Sequence, residues 1–258
     1  MGEKRDNTLS SVKNALRVLK SFSIEEPEKK ITDLANSLNL GTSTVSRLMT
    51  TLASEGFVYK KNQRYRLGWP LLSLSGVVTS DIEIHTEATP VLHSLLSKTG
   101  ETSHLNILEN REVICIHKVE SNHTVRTFTH IGSRNPLHCT SSGKVLLAFN
   151  EKDLFDEIIE NDLISYTHNT ISDPKKLKEA LKEIREHGYA ISREELYQGV
   201  TAIAAPIRDY TGRVVAAVNT IGPIQRINSH TIPNHIKRVC DAAKEISERL
   251  GYFPTYKS

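Results

Sequence analysis

The spacing of apolar residues changes along this chain, and that change limits the possible folds more than any other feature. Up to Gly100, a short hairpin near residue 60 apart, apolar positions recur every three or four residues; from Ser103 they alternate with polar ones. His104 to Leu108 and Val113 to Val119 read as a hairpin turning at Glu109-Asn110-Arg111, with Val125 to Phe128 as a third strand. Pro136 to Thr140 leads into a helix over Ser142 to Phe149, followed by helices near Lys152 to Glu160 and Pro174 to His187. Strands at Tyr189 to Arg193, Val200 to Arg208 and Val214 to Ile221 precede a closing helix, Thr231 to Leu250. Segregated blocks of strands and helices, joined by hairpins rather than βαβ crossovers, point to an α+β fold and away from a dinucleotide-binding one.

The first seventy residues have a plan of their own. Ser10 or Ser11 can cap a helix running to about Ser23, with Val12, Ala15, Leu16, Leu19 and Phe22 inward and Pro27 beyond its end. Thr32 can cap a second, with Leu34, Ala35 and Leu38 inward and Asn39 suited to a left-handed end. After Gly41 a third buries Val45, Leu48, Met49 and Leu52 and exposes Ser43, Thr44, Ser46, Arg47 and Thr50. A helix that needed only to be soluble would show Glu and Lys pairs there. Short hydroxyls and one arginine suit a major groove, so the pattern reads as a helix-turn-helix.

Charge supports this reading. The net charge is +3, yet up to Gly68 there are 12 Lys and Arg against 7 Asp and Glu, and 21 against 23 thereafter. Lys60, Lys61, Arg64 and Arg66, interleaved with Tyr59 and Tyr65, make a basic hairpin in which Phe57 to Tyr59 pairs with Tyr65 to Leu67. By itself it is an ordinary solvated charge run; after three helices it completes a winged helix that contacts phosphates.

TSTVSRLMTTLASEGFV followed by YRLG closely resembles the DNA-binding domain of the IclR family of bacterial transcriptional regulators. The resemblance extends through IGSRNPLHCTSSGKVLLA and GVTAIAAPIRD to the final helix. It implies a winged-helix DNA-binding domain over residues 1–69, a linker helix over 70–82, and a GAF/PAS-like effector-binding and oligomerisation domain over 83–258. It also implies a double-stranded DNA operator as partner, homodimers or homotetramers, and repression as the commoner sign of control. The DNA-contacting set is then Thr32, Thr42, Ser43, Thr44, Ser46, Arg47 and Thr50, with Lys60, Lys61 and Arg64 on phosphates. The segment from Leu71 to Gly100 is helical in pattern, with a break before Pro90, which would start a new helix. Its first half is apolar enough either for a dimer contact or for docking on its own second domain.

In the second half, Thr140-Ser141-Ser142 at a helix start offers backbone amides under the positive end of the helix dipole, fit for a carboxylate, although the same residues could merely cap the helix. The resemblance places a small organic acid against this turn and the strand after Gly199, with Leu137, Ser141, Ser142, Ser192, Val200 and Ala202 around it. Some members have an acidic residue and a cysteine where this chain has Ser192 and Ala202, so a bulkier acid with hydroxyls is expected rather than glyoxylate.

An enzyme of small organic acids with an accessory nucleic-acid domain is the alternative, but no nucleophile and base pair supports it. Ser141-Ser142-Gly143-Lys144 matches S-x-x-K and Lys98-Thr99-Gly100 matches K-T-G, in the reverse of the order penicillin-binding enzymes use and without S-D-N. His138 replaces the first glycine a P-loop needs. Cys115 with His117, and His138 with Cys139, lack a second ligand pair, so neither metal nor cofactor is expected. Three cysteines without CxxC spacing, no long apolar run and a polar first stretch lead to the expectation of a cytoplasmic protein with reduced thiols and no membrane partner.

Overall fold

The computed structural model describes residues 8–23, 25–80, 83–123, 129–150, 152–160 and 163–253. They fall in two compact units, Met1–Asp81 and Ile82–Ser258.

In the first unit α1 spans Ser10–Lys20, with Leu9 before it and no side-chain cap, so neither Ser10 nor Ser11 caps it. Val18 is the residue it buries, packed with Leu19 and Phe22, while Val12 and Leu16 stay about half exposed. The chain thus carries two apolar stripes on α1, and the sequence reading merged them. Helix α2, Ile31–Leu38, begins one residue before Thr32. The Asp33 carboxylate accepts the Lys30 N–H at 3.3 Å, so Thr32 is an exposed first-turn residue and not the cap. Asn39 ends α2 at φ 52°, ψ 50°, and Arg17 donates to the Leu38 carbonyl at 2.8 Å, satisfying a carbonyl the helix end leaves free. Helix α3, Thr42–Ser54, buries Val45 and Met49 against Val18, Leu34, Val58 and Tyr65.

The wing is tighter than its sequence suggests. Strands β1, Val58–Lys61, and β2, Arg64–Leu67, pair from Val58 with Leu67 to Lys61 with Arg64, leaving a two-residue loop. Asn62 and Gln63 both take positive φ, 48° and 62°, as a primed turn matching strand twist requires. At the other end a Cβ on Gly68 would lie 1.8 Å from the Gly56 carbonyl oxygen, so only glycine lets the hairpin close on the α3 exit. Helix α4, Pro70–Ser80, follows, with Leu72, Leu74 and Val77 more than half exposed.

The second unit is built on a six-stranded antiparallel sheet in the order β5-β4-β3-β8-β7-β6. Its strands are β3 Thr102–Glu109, β4 Glu112–Val119, β5 Arg134–Pro136, β6 Ala190–Arg193, β7 Val200–Arg208 and β8 Val214–Pro223. Helices α5, Glu83–Thr99, and α9, Ile232–Arg249, cover one face; α6, Ser141–Ala148, and α8, Pro174–His187, cover the other. A further helix, α7, spans Lys152–Ile159. Strand alternation sorts the layers: Ile203, Ala205 and Ile207 of β7 join the α5/α9 core, and Ala204 the α6/α8 core. With both faces covered, β7 reads as a nearly unbroken apolar run.

One expectation is corrected, and two strand features are added that the spacing did not show. Pro90 lies inside α5, which starts at Glu83; Thr89 Oγ1 donates to the His85 carbonyl at 2.7 Å, and burial of Ala88, Val91, Leu92 and Leu95 outweighs the bond proline cannot donate. Arg134–Pro136 is an edge strand on β4, where a missing N–H is tolerated, and only then does the chain turn into α6. Cys115 and His117 do not share a face. The β3–β4 register shifts between Leu105 and Asn106, so an extra residue at Ile116 breaks the alternation. The strand expected at Val125 to Phe128 lies outside the described residues.

Candidate DNA-contacting face and effector cavity

On α3 the apolar side is held by the three-helix core, which leaves Thr42, Ser43, Thr44, Arg47 and Thr50 exposed and Ser46 half-buried. The helix carries no acid, and the Arg47 guanidinium has no hydrogen-bond or ion-pair partner among the described residues. Thr50 and Thr51 hydroxyls donate to the Ser46 and Arg47 carbonyls at 3.0 and 3.1 Å, which holds these short side chains against the helix and gives close access to its surface. Lys60, Lys61 and Arg64 are exposed on the wing, Lys60 lying 5.9 Å over the Tyr65 ring. Arg66, which the sequence grouped with them, instead pairs with Glu28, which raises its pKa and withdraws it from the basic surface. Thr32 sits at the start of α2, its hydroxyl donating to Asp33 at 3.3 Å.

In the second unit a cavity of about 560 Å³, including its open mouth, lies between the sheet and the start of α6. Ser141, Ser142, Ser192, Val200 and Ala202 all line it. Leu137 does not: it is 1% exposed and packs with Val113, Leu177 and Ala204 in the α6/α8 core. The reason is the close seat of α6 on the Leu137 backbone, where a Cβ on Gly143 would lie 2.4 Å from the Leu137 oxygen.

Thr140 caps α6, its hydroxyl accepting the Gly143 N–H at 3.0 Å. The Ser141 and Ser142 amides are the first two of the helix and have no carbonyl to bond within it. Ser142 Oγ accepts from Asn106 Nδ2 at 3.0 Å, whereas Ser141 Oγ is buried without a hydrogen-bond partner. Amides, an open hydroxyl and the helix dipole together favour an oxyanion.

The remaining wall consists of residues the sequence reading passed over: His104 and Asn106 on β3, Thr129, Asn135, and Asn219 on β8. For His104, Asn106 and Asn219 the signal was available as polar residues within strands β3 and β8, whereas Thr129 and Asn135 carry no such signal. His104 Nε2 and Thr129 Oγ1 are hydrogen-bonded at 3.0 Å. Burial, then the positive charge of Lys118, pushes the His104 pKa down to about 3, so the ring is neutral. Asn219 stands close enough to favour the charged ring slightly, yet its Oδ1 falls outside hydrogen-bonding geometry with any group. Cys115 and Cys139 also line the cavity, and burial pushes both thiols up to about 12, which leaves them unreactive.

One rim is held by a buried ion pair. Lys144 Nζ of α6 donates to Glu195 at 2.5 Å and to the Ile191 carbonyl at 2.8 Å, and Thr170 Oγ1 donates to the Glu195 carbonyl at 2.6 Å. Burial raises the Glu195 pKa and Lys144 opposes it; Lys144 pairs with Oε1, while Oε2 is buried without a hydrogen-bond partner. This fixes the loop that brings Leu196 and Tyr197 over the cavity.

No group of described residues is arranged to hold a metal. His117 turns to α5, its ring 4.4 Å from that of His85, while Cys115 faces the cavity; His138 Nε2 lies 2.9 Å from the Ile164 carbonyl oxygen. No described helix is long and apolar enough to cross a membrane.

Comparison with known proteins agrees with this division. Residues 11–61 match the IclR helix-turn-helix domain, and residues 76–248 match the bacterial transcriptional regulator IclR C-terminal domain. The chain is 33% identical to the HTH-type transcriptional regulator XynR of Escherichia coli, over 95% of this chain and 98% of that one. It is 32% identical to the HTH-type transcriptional repressor AllR of Salmonella paratyphi A, over 95% and 91%. An IclR transcriptional regulator from Alicyclobacillus acidocaldarius superposes with a TM-score of 0.85 at 27% identity, covering 95% of this chain and all of that one.

Proposed function

Since the chain belongs to the IclR family of bacterial transcriptional regulators and is no enzyme, we propose that it is a repressor whose operator binding is controlled by a small organic acid held in the cavity at the start of α6. Residues 1–69 bind DNA through Arg47 and the hydroxyls of α3, with Lys60, Lys61 and Arg64 on phosphates; residues 70–82 connect; residues 83–258 bind the acid and assemble the oligomer. Two copies reading half-sites at a spacing set by the dimer call for a near-palindromic operator.

The observation that carries the effector reading is Ser141, 1% exposed with its Oγ without a hydrogen-bond partner, beside the first amides of α6 in the cavity they line. An acid bound there acts on DNA affinity only through a difference in its affinity for two conformations, so a transcriptional effect requires that difference.

The test is thermal unfolding of the full chain against sugar, keto and aromatic acids, since a ligand stabilises the state it binds. A concentration-dependent rise with an acid, absent in Ser141→Asp, is the expected result. No rise with any acid, or an undiminished rise in Ser141→Asp, removes the carboxylate site.

A further inference from the structure

We propose that the effector is a hydroxylated acid, its carboxylate at the start of α6 and its hydroxyls against an uncharged polar wall formed by His104, Asn106 and Asn219. This rests on the carboxylate reading above and concerns the other end of the ligand. His104 and Asn219 are direct partners in the β3–β8 pairing, and Asn106, two residues along β3, shares their face. They are 2%, 7% and 4% exposed, among apolar neighbours such as Val113 and Ile221. A wall with no polar task would be filled by aliphatic side chains, because each buried polar atom must find a partner.

The bonds already made narrow what the ligand must bring. Asn106 is engaged with Ser142 and His104 with Thr129, whereas Asn219 Oδ1 has no hydrogen bond of good geometry, only a loose approach to the His104 ring. An alkyl chain would bury that oxygen unpaired, and a keto group offers it only another acceptor. Charge is not matched either. Among the described residues no Lys, Arg, Asp or Glu lines the cavity and His104 is neutral, so neither an ammonium nor a second carboxylate would meet a countercharge from them. A hydroxyl donates and accepts without charge, which suits Asn219 Oδ1.

The experiment is calorimetric titration of the full-length protein with glycerate, threonate, gluconate and galactonate, against butyrate, hexanoate, 2-oxohexanoate and glucose. At least one hydroxy acid should bind about tenfold or more tighter than the unsubstituted acid of equal length, the worth of one good neutral hydrogen bond. Asn219→Leu should shrink that ratio to within about threefold by weakening only the hydroxy acid. Ranking ligands on the unaltered protein decides the matter even if the variant folds poorly. Hexanoate or 2-oxohexanoate binding as tightly as the hydroxy acids overturns the hydroxyl inference and leaves the carboxylate reading standing; so does a ratio unmoved by Asn219→Leu. Binding by no acid, or by glucose as tightly as by gluconate, overturns the carboxylate reading and the inference with it.

Discussion

Arg47 and His104 show how differently two polar residues can be used. Arg47 projects from α3 with its guanidinium unpaired among the described residues, so its donors are available to a base edge. On an operator selected from random DNA, Arg47→Ala should cost about 1–3 kcal/mol and relax preference at one base pair, while folding stability stays within about 0.5 kcal/mol. Lys61→Ala should instead weaken all DNA alike and lower the salt slope by about one. Equal loss on every sequence for Arg47→Ala would move base reading to another residue. His104 is held uncharged by its surroundings, with a folded pKa of about 3 against 6.5 when exposed. The unfolded chain then binds a proton that the folded chain refuses. Stability should therefore fall as pH drops from 6.5 towards 3, by one proton's slope from this residue, and be insensitive to it above 6.5. Denaturant titrations across that range should show the acid limb shallower by one proton in His104→Gln; an unchanged limb would mean that the ring titrates normally.

At the scale of elements, much was legible and the failures have identifiable causes. Helix α8 appears at Pro174–His187 as expected, because Pro at its first turn and Gly188 beyond its end are local signals that need no partner. Asn39 likewise ends α2 through a conformation its own side chain tolerates. Pro90 and Leu137 went the other way, because their outcome depended on what packs against them. The bulge at Ile116 was hidden for the same reason: an inserted residue is defined only by the partner strand. Helix α6 offers a sharp test of its seating. Gly143→Ala puts a methyl against the Leu137 carbonyl and should destabilise by about 1–3 kcal/mol in urea unfolding, since neither backbone can retreat. A neutral result would show that α6 has room to lift.

For the molecule as a whole, we propose that the exposed apolar surface takes a second copy. Leu9, Val12 and Leu16 on or before α1, and Trp69, Leu72, Leu74 and Val77 on or before α4, are each more than half exposed. Side chains of this size on neighbouring helical turns favour the reading of an interface over scattered surface. We expect a dimer that Leu72→Glu with Val77→Glu converts to monomer in sedimentation, with operator affinity falling because two half-sites are no longer read together. A dimer that survives the double change would place assembly in the second unit. Under the proposed control by an effector the two copies need not be tight; the effector would have only to favour one arrangement of them.

What the sequence by itself determined is whatever depends on near neighbours. Periods of three to four and of two set the helices and strands, caps and turn residues set many of their ends, and an acid-free face beside a basic hairpin marked the proposed DNA-contacting surface. The paired half of that hairpin was not so marked, since Arg66 meets Glu28 only after the chain has doubled back. Only the tertiary structure decided the cavity, because its wall joins β3 to β8 across more than a hundred residues of chain and its floor depends on how α6 seats on Leu137. A local pattern shows that a residue is polar; whether that polarity is solvated, paired or left open to a ligand is set by groups far along the chain.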